Sequence, residues 1–345
     1  MAKLVVQLVT WNGAKYLPFL LASLRSQTFK DWELVIWDNH STDTTIATLK
    51  NELAHFPVSH RLIENDNNYG FTKGHNALFS SGKSDLVLLL NQDIILAEDC
   101  FEKLCAALDH NPTLAAVAPR LMRWDFSKAG QPGEKTNQLD SLGLQVLRSR
   151  RVIERSAGLS WDAIKIKLAS QTLLPAFGVS GALPMYRRSA LTKIQFSDGT
   201  LFDESYHSYK EDIDVAYRLR SAGFEAATVL SSVAWHDRSV AGPTALTDRA
   251  AAKNKFSQSS QVQLLSYINH LATLYKNEYW QNLLLDFPWI IWYELKKFIY
   301  YIMFEPAVLK GLGELWKGRL AMKQKKTKIT AKRDIGWREM RTWWL

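Results

Sequence analysis

The first place in the chain where chemistry could be done is an acidic residue that directly follows an unbroken apolar run. The run is Leu86–Leu90, and it is followed by Asn91, Gln92 and Asp93. A short apolar run without alternation is typical of a strand buried on both faces of a sheet, and ligands bind beyond the carboxyl ends of such strands. A carboxylate in that position can hold a divalent cation against a diphosphate. The alternative is that Asp93 only caps a turn.

A second candidate carboxylate, Asp212, belongs to a Glu211-Asp212 pair that opens a predicted helix. Negative charge in the first turn of a helix is favoured by the helix dipole, which is the purely structural explanation. The chemical explanation is that Asp212 acts as a general base and removes a proton from an acceptor hydroxyl. Two carboxylates are also typical of glycosidases, but that interpretation leaves the nucleotide-like features of the chain unexplained.

Other strand-like runs also end in residues that suit nucleotide binding. They are followed by Thr10-Trp11-Asn12, Asp38-Asn39 and Trp235-His236. Trp11 offers a flat face for a nucleobase, and Asp38 offers an acceptor for a base or ribose donor. Asp93 and His236 together could ligate Mg²⁺ or Mn²⁺, which would neutralise the charge that develops on a leaving nucleotide. Each residue alone is a weak indication, and it is their shared position after predicted strands that favours a site.

The elements that must position these residues alternate between strand and helix over about the first 120 residues. The predicted strands are Leu4–Thr10, Trp32–Trp37, His60–Glu64, Leu86–Leu90, Leu114–Ala118 and, much later, Ala226–Val229. The early alternation predicts a parallel, doubly wound sheet.

Between residues 121 and 172 this alternation fails. Gly, Pro, Lys and Gln cluster at 128–138, and residues 142–158 have the pattern of a β-hairpin. We expect an insertion on the rim of the sheet, which is a position suited to recognising a second substrate.

The formal charge of +9 is concentrated in the C-terminal part of the chain. Basic and acidic residues balance, 26 against 26, through Ala241, whereas 17 basic residues face 8 acidic ones afterwards. Residues 241–345 also have helical patterns rich in Trp and Tyr, a composition typical of helices in a membrane headgroup region. We therefore predict a catalytic domain over 1–240 and a membrane-association region over 241–345, whose removal leaves a foldable sheet domain. The alternative is an ordinary helical subdomain with a solvated basic face.

Other features of the sequence favour a cytoplasmic protein. The N-terminus passes directly into a strand-like run, without the pattern of a secretory signal. Charged residues and Pro288 interrupt the apolar stretch 286–304, so it does not meet the requirement for a membrane-spanning helix. Cys100 and Cys105 lie in an amphipathic helix pattern and are expected to be reduced thiols. We expect the protein to be peripheral on the inner face of the cell membrane.

The candidate residues also form an ordered series of motifs. The series is Thr10-Trp11-Asn12, Asp38-Asn39-x-Ser41-x-Asp43, Asn68-x-Gly70-Phe71-x-x-Gly74-x-Asn76, Leu90-Asn91-Gln92-Asp93, Ser180-Gly181-Ala182, Phe202-Asp203-Glu204, Tyr209-x-Glu211-Asp212-x-Asp214-x-x-x-Arg218 and His236. In that order it resembles the family 2 glycosyltransferases, especially their rhamnosyltransferase-like branch, over roughly residues 3–240. The segment Leu139-Asp140-Ser141-Leu142-Gly143, with the Arg-rich hairpin after it, resembles the same branch. No single motif is decisive, but the ordered set is highly specific.

The resemblance implies an α/β fold of the GT-A type, with a Rossmann-like mixed sheet flanked by helices, here followed by a C-terminal helical amphipathic extension. It also implies a nucleoside-diphosphate sugar donor and inversion at the anomeric carbon by direct displacement. By position, Asp212 is the implied catalytic base, and Asp93 and His236 are the implied ligands of Mg²⁺ or Mn²⁺.

The resemblance further implies which residues contact the two substrates. The implied donor-binding residues are Thr10, Trp11, Asn12, Asp38, Asn39, Asn68, Gly70, Gly74, Asn76, Asn91 and Gln92. The implied acceptor-side residues are Gly181, Ala182, Asp203 and Glu211. The chain departs from the fuller metal-binding motif at Asn91, where that motif has Asp.

The expected function is that of an inverting, metal-dependent hexosyltransferase in cell-surface polysaccharide synthesis. It would move rhamnose or another hexose from a dTDP- or UDP-sugar to a hydroxyl of a glycan or lipid-linked acceptor. We also expect the C-terminal helices to bind an anionic membrane surface and not nucleic acid.

Two other functional classes stay open at this point. The first is a catalytically inactive sugar-nucleotide-binding fold whose basic tail binds nucleic acid. The mixture of aromatic residues with Leu and Ile in helical runs disfavours it. The second is a nucleotidyltransferase, which would normally have a Gly-rich basic loop near the N-terminus, and Thr10–Lys15 provides little of that.

Overall fold

The computed structural model describes residues 2–127, 133–238 and 254–345. The strands are β1 (Leu4–Thr10), β2 (Trp32–Asp38), β3 (His60–Glu64), β4 (Leu86–Leu90), β5 (Ile94–Leu96), β6 (Leu114–Asp125), β7 (Glu134–Ser141), β8 (Leu144–Val146), β9 (Val152–Glu154), β10 (Leu173–Pro175), β11 (Met185–Arg187) and β12 (Glu225–His236). The predicted domain boundary at 240/241, and residues 128–132 of the predicted insertion, lie outside the described residues.

The helices of the described ranges flank and follow these strands. They are α1 (Leu17–Arg25), α2 (Thr45–Leu53), α3 (Gly70–Ser81), α4 (Cys100–His110), α5 (Trp161–Ile164), α6 (Arg188–Ile194), α7 (Glu211–Ser221), α8 (Ser260–Asn277), α9 (Trp280–Leu285), α10 (Phe287–Phe304), α11 (Gly311–Lys317), α12 (Arg319–Ala331) and α13 (Trp337–Arg341). None of these helices combines the length with the apolar character that crossing a membrane requires.

The main sheet orders its strands β10-β12-β6-β11-β4-β1-β2-β3, with β5 paired to β12 and β7 to β6. The pairs β4–β1, β1–β2 and β2–β3 are parallel, as the alternation of the first half predicts. The short β11 lies between β4 and β6 and is antiparallel to both, so the complete sheet is mixed. Every residue of β4 is buried, because this strand lies in the middle of the sheet with helices over both faces.

Helices cover both faces of the sheet. On one face α1, α2 and α4 contribute to a large apolar cluster, and on the other α3, α6 and α7 contribute to a second one. In α1, for example, Leu17, Leu21 and Leu24 recur at helical spacing and are buried. This periodicity is the reason that the helices of the sheet domain could be predicted.

Strands β6 and β12 extend beyond the runs that predict them, to Asp125 and His236. The extensions stay paired across an irregularity between Val229 and Val233. Met122 and Leu230 of these extensions pack with the insertion, whereas Leu121 and Ala234 belong to the main core. The apolar residues of the extensions are thus divided between two clusters, and the extensions lack the uninterrupted apolar pattern of a central strand. The extension of β12 pairs His236 with Ile94, next to Asp93.

The predicted hairpin of the insertion is present as β8 paired antiparallel to β9. The helical patterns predicted for the C-terminal region include two helices, α9 and α10, which meet at Asp286. Pro288 lies in the first turn of α10, where the missing proline N–H costs no helical hydrogen bond.

The C-terminal helices are attached to the sheet domain by buried ion pairs. Lys276 of α8 lies 2.6 Å from Asp203 and 3.1 Å from Asp214. Arg150, from the β8–β9 connection, pairs with Glu278 and Asp286. Because these partners are buried, the helical region packs against the sheet domain, and the predicted division into two regions at 240/241 stays a prediction.

Candidate active site

The loops after β1 and β4 are joined by one glutamine. Gln92 Oε1 accepts hydrogen bonds from the Thr10 hydroxyl at 2.6 Å and from the Trp11 N–H at 3.0 Å, and Gln92 Nε2 donates to the Trp11 carbonyl at 3.2 Å. Asn12 Oδ1 accepts from the Thr42 N–H at 2.8 Å. These bonds fix the backbone around Trp11, whose side chain stays 52% exposed. One face of the indole is therefore available to a planar ligand.

The loop after β2 is held by Asp38 and Asn39. The two carboxylate oxygens of Asp38 accept from the N–H and the hydroxyl of Ser41. Asn39 receives a hydrogen bond at Oδ1 from the Trp37 indole at 2.9 Å and donates from Nδ2 to the Gly70 carbonyl at 3.3 Å. Asp38 thus orders its own loop, while Asn39 connects this loop to the start of α3.

The residue types at the start of α3 suit its backbone conformation, the space around it and its hydrogen bonds. Asn68 Oδ1 accepts from the Gly70 N–H at 3.0 Å. Gly70 has φ +83°, and a Cβ there would lie 2.4 Å from the His207 ring, so both conformation and space favour glycine. Gly74 packs against β1 and β2 side chains. Asn76 Oδ1 accepts from the N–H groups of residues 201 and 202, so Asn76 positions the 201–207 loop.

His236 lies between two carboxylates. Its Nε2 is 3.4 Å from Asp93 Oδ1, and its Nδ1 is 2.9 Å from Asp140 Oδ2. Burial lowers the pKa of His236, but Asp93 and Asp140 raise it more, to about 9. Burial raises the pKa of Asp140, but Arg238 and His236 lower it more, to about 2. Asp140 is therefore an anion that fixes the direction of the imidazole.

Asp93 and His236 fit a single divalent cation. Neighbouring ligands of an octahedral ion that binds at about 2.1 Å lie about 3.0 Å from each other, close to the 3.4 Å between these two side-chain atoms. A carboxylate on the second ring nitrogen is the usual means of orienting a metal-ligating histidine, and Asp140 is such a carboxylate. Within residues 2–127, 133–238 and 254–345, no three His, Cys, Asp or Glu side chains surround one metal position. The other ligands of a cation here would have to be oxygens of substrate or water.

Three residues around His236 are absent from the site predicted from the sequence: Asp140, Glu154 and Arg238. Arg238 donates to Asp140 and to Glu154, each at 2.9 Å, and Glu154 also accepts from the Ser180 hydroxyl at 3.1 Å. Asp140 and Glu154 come from the insertion. The only available signal for them was the resemblance of the 139–143 motif and the following hairpin, whereas nothing in the spacing indicated Arg238.

Asp212 lies at the start of α7. Its Oδ2 accepts from the Gly181 N–H at 3.1 Å, and its Oδ1 accepts from the Ile213 N–H at 2.8 Å. Burial raises the pKa of Asp212, and the Glu154 carboxylate raises it further. Glu211 is buried with one carboxylate oxygen unpartnered within the described residues, and burial followed by the Asp212 charge raises its pKa to about 8. Both groups therefore hold a proton more readily than ordinary carboxylates.

A continuous series of contacts joins Asp93 to Asp212. It passes through His236, Asp140, Arg238, Glu154, Ser180 and Gly181. On a second path, the Asn91 N–H donates to the Ala182 carbonyl at 3.0 Å. The predicted metal ligands, the predicted acceptor-side residues Gly181 and Ala182, and the predicted base thus lie in one region, although the role of each residue stays a prediction.

Asp203 has different surroundings from the other predicted acceptor-side residues. It is almost fully buried, and its carboxylate accepts from Lys276 at 2.6 Å and from Lys325 at 2.5 Å. Burial raises its pKa, but the two lysines more than offset this, so the pKa lies well below the usual range. Its contacts attach the C-terminal helices and leave the carboxylate no unpaired oxygen.

The loop that precedes Asp212 has an unusual backbone. His207, Tyr209 and Lys210 have φ values of +58°, +69° and +70°, a conformation that costs on the order of 1–3 kcal/mol at each non-glycine residue. Asn269 of α8 offsets this cost, because its Nδ2 lies 2.9–3.0 Å from three backbone carbonyls of the loop. The C-terminal helices therefore help to position the residues around Asp212.

The sequence is similar to those of known glycosyltransferases. A model of the family described as Glycosyl transferase family 2 matches residues 6–194. The chain is 23% identical to the O-antigen chain rhamnosyltransferase RfbN of Salmonella typhimurium, over 68% of the chain and 66% of that protein. It is 25% identical to the N-acetylglucosaminyl-diphospho-decaprenol L-rhamnosyltransferase of Mycobacterium tuberculosis, over 68% of the chain and 76% of that protein. The putative glycosyltransferase EpsE of Bacillus subtilis is 27% identical over 36% of the chain, which spans only 44% of EpsE.

Solved structures resemble the chain in fold. GalNAc-T7 with UDP, GalNAc and Mn²⁺ superimposes with a TM-score of 0.58 at 14% identity, over 81% of the chain and 49% of that protein. The mannosyltransferase PcManGT from Pyrobaculum calidifontis, in complex with GDP-Man and Mn²⁺, gives 0.50 at 16% identity, over 96% of the chain and 86% of that protein. The expected GT-A fold, a mixed sheet flanked by helices with a C-terminal helical region, is confirmed.

Proposed function

The chain belongs to glycosyl transferase family 2, and on that premise we propose that it is an inverting, metal-dependent hexosyltransferase. It moves a sugar from a nucleoside diphosphate to a hydroxyl of a glycan or lipid-linked acceptor in cell-surface polysaccharide synthesis. dTDP-rhamnose is the preferred donor, because two relatives are named rhamnosyltransferases. A UDP-linked hexose is the second choice, since the GalNAc-T7 structure contains UDP.

The observation that carries this proposal is the series of contacts between the Asp93–His236 pair and Asp212. Direct displacement needs a counter-charge for the leaving diphosphate and a base for the attacking hydroxyl. The Asp93–His236 pair fits a cation, and Asp212 is held by two backbone N–H groups. The segment 180–182 lies between them, so one bound sugar could contact both.

The proposed roles follow from the chemistry of each group. Asp93 and His236 would hold Mg²⁺ or Mn²⁺, which supplies positive charge against the diphosphate. Asp212 accepts the proton of the acceptor hydroxyl, since its raised pKa makes it a stronger base than an ordinary aspartate. Trp11 stacks on the nucleobase. Asp38 can accept a further hydrogen bond from the base or ribose, because each carboxylate oxygen has two lone pairs.

The outer side of α10 supports docking on a membrane surface. Trp292 is 61% exposed, Ile302 52% and Met303 65%, and the C-terminal region carries the excess positive charge of the chain. Aromatic and apolar side chains beside Lys and Arg are typical of helices that lie in the headgroup layer. The mycobacterial relative is named for a decaprenol-linked acceptor. We therefore propose a peripheral location on the inner face of the cell membrane, where such an acceptor would be encountered.

A thermal-shift panel tests the donor and the metal. The full chain is melted with dTDP-, UDP- and GDP-sugars, each with and without Mn²⁺, alongside Asp93→Asn. A donor at 100 times its Kd stabilises the fold by about 2.7 kcal/mol, so we expect one donor to raise Tm with Mn²⁺ and to do so much less in the variant. The proposal is wrong if no nucleotide sugar raises Tm. It is also wrong if the rise in Tm is the same without Mn²⁺ and the same in Asp93→Asn.

Liposome flotation tests the membrane surface. We expect the wild type to float with anionic vesicles and the double variant Trp292→Ser/Ile302→Ser to stay in solution. Leu159→Ser is the matched control, because Leu159 is 50% exposed on the insertion. Retention on DNA at the same salt concentration, without flotation, would instead favour a nucleic-acid-binding tail.

A further inference from the structure

Basic side chains from four separate parts of the chain lie close enough to act on one another's charge, and one of them acts on Asp212. We call them the basic cluster: Arg151 of the β8–β9 connection, Lys210 before α7, Lys255 before α8, and Lys297 of α10. Lys297 is buried, and the other three are half-buried. The cluster lies next to the proposed base in the chain, because Lys210 is separated from Asp212 by a single residue.

Aromatic rings and one carboxylate bring the members of the basic cluster together. The Lys297 ammonium lies 4.7 Å from the Tyr267 ring centre, the Lys255 ammonium lies 4.2 Å from that of Tyr301, and the two rings are 4.8 Å apart. Glu294 accepts from Lys297 at 3.1 Å and contacts His270 at 2.9 Å. His270 directly follows the asparagine that holds the loop before Lys210, so α8 connects both sides of the cluster.

Negative charge is unevenly distributed around the basic cluster. Burial lowers the pKa of Lys210 while Asp212, Glu154 and Glu211 raise it, whereas Glu294 is the one carboxylate within the described residues that raises the pKa of both Lys255 and Lys297. In the described part of the chain, the side chains of Arg151, Lys210 and Lys255 form no hydrogen bond or ion pair, and Lys297 shares Glu294 with His270. Burial, then the charges of Lys297 and Arg151, lower the pKa of Lys255 to about 8. Burial also lowers the pKa of Lys297 to about 8, although Glu294 opposes this. Cations that lose water without gaining counter-charge destabilise a structure, and a bound anion would remove that cost.

We propose that the basic cluster binds a phosphate or diphosphate group of the acceptor substrate. This inference depends on the proposed function, and it narrows the acceptor to a phosphorylated one. The donor diphosphate has its own place at Asp93 and His236, which leaves the cluster for the other substrate. Lys297 faces inward on α10, whereas Phe298 and Ile302 on the same helix are exposed. An amphiphile could therefore place its anionic head at the cluster and its hydrocarbon along the outer side of α10.

Calorimetric titration of the full chain in buffer with EDTA tests this proposal, since chelation removes any cation from Asp93 and His236. The probes are geranyl diphosphate, inorganic pyrophosphate and geraniol. We expect both diphosphates to bind and geraniol not to bind. Tighter binding of geranyl diphosphate assigns the site to a lipid-linked anion, and equal binding assigns it to the anion alone; both support an anion site. Binding of geraniol as tight as that of geranyl diphosphate would overturn the proposal.

Two variants on separate elements locate the binding. Lys255→Met and Arg151→Gln should each raise the Kd for geranyl diphosphate about tenfold, the typical effect of losing one charge-assisted hydrogen bond. Both variants should keep a single cooperative melt, because neither side chain has an ion pair to lose and Lys255 gives up only its contacts with the Tyr300 and Tyr301 rings. Lys83→Met is the matched control: Lys83 is exposed and precedes β4, at the opposite end of the strand from the site. An unchanged Kd in both variants would overturn the proposal.

Donor binding separates this inference from the proposed function. With Mn²⁺ present, the thermal shift from the best nucleotide sugar should be the same in Arg151→Gln as in the wild type. If the variant weakens the binding of the donor and of geranyl diphosphate equally, the basic cluster binds the donor and the inference is wrong. If no nucleotide sugar binds while geranyl diphosphate still depends on the cluster, the proposed function fails and the anion site remains.

Discussion

Two pairs of carboxylates around α7 lie within twelve residues of each other and have opposite surroundings. Asp203 and Asp214 both contact Lys276, and Arg218 lies 2.9 Å from Asp214. These cations outweigh burial and hold the pKa of both aspartates below the usual range. Glu211 and Asp212 have no ion pair within the described residues, and burial raises the pKa of both.

The difference separates carboxylates that hold the fold from carboxylates that are available for chemistry. The first pair is neutralised by Lys276 and Lys325 of the C-terminal helices together with Arg218 of α7, so its negative charge helps to attach those helices to the sheet domain. The second pair keeps a high proton affinity, which is the property a general base needs near neutral pH. The helical region contributes to this difference, because its lysines neutralise Asp203 and Asp214 and form no ion pair with Glu211 or Asp212 within the described residues.

The largest effect is expected when the C-terminal helices, and with them Lys276 and Lys325, are removed. A chain that ends at residue 245 lacks Lys276 and leaves Asp203 and Asp214 buried without a counter-charge from α8. It also loses Met340 and Trp344, which complete an apolar cluster with residues of β8 and α7. We expect no cooperative thermal transition by near-ultraviolet circular dichroism. A sharp melt would contradict this and agree with the sequence-based expectation that the sheet domain folds without the C-terminal region.

Lys276→Met tests the neutralised pair by itself. Removing one partner of a buried ion pair costs about 3–5 kcal/mol, and we expect a loss of that size in urea denaturation at pH 7. The loss should shrink toward pH 4, because protonation removes the unpaired negative charge. Lys323→Met is the control: Lys323 is exposed on α12 and should change stability by less than about 0.5 kcal/mol. Equal effects of the two variants would contradict the role assigned to Lys276.

Glu211→Gln tests the carboxylates without an ion pair and has the smallest expected effect. The folded-state pKa of Glu211, about 8, lies above the ordinary value of 4.5, so the wild type loses stability as pH rises through this interval. Glutamine mimics the protonated carboxyl group and carries no charge at any of these pH values, so the variant does not lose this stability. We expect the variant to gain a few degrees in Tm over wild type at pH 9 and little at pH 5. Glu314→Gln, at an exposed position, should show no such dependence, and an identical profile for both would count against burial of Glu211.

The sequence predicts the parts of this structure that depend on local pattern. Strands β1 to β4 and the helices between them follow from apolar runs and helical spacing, and the polar residues after β1, β2 and β4 lie at one edge for that reason. The extensions of β6 and β12 could not be predicted, since their apolar residues are divided between the main core and the insertion and form no continuous apolar run. The roles of Asp140 and Asp203 could not be predicted either. Asp140 contacts His236 across 96 residues and Asp203 contacts Lys276 across 73, and no local pattern specifies such partners.

The central claim is that Asp212 accepts the proton of the acceptor hydroxyl, whereas Asp203 and Asp214 stabilise the fold. It is tested most directly by Asp212→Asn, with nucleoside diphosphate release measured from the donor that gives the largest thermal shift. We predict that the rate falls about 10³-fold, within the range of general-base catalysis, while the donor Kd and Tm stay at wild-type values. A donor Kd that weakens as much as the rate falls, or a rate that does not change, would contradict the account.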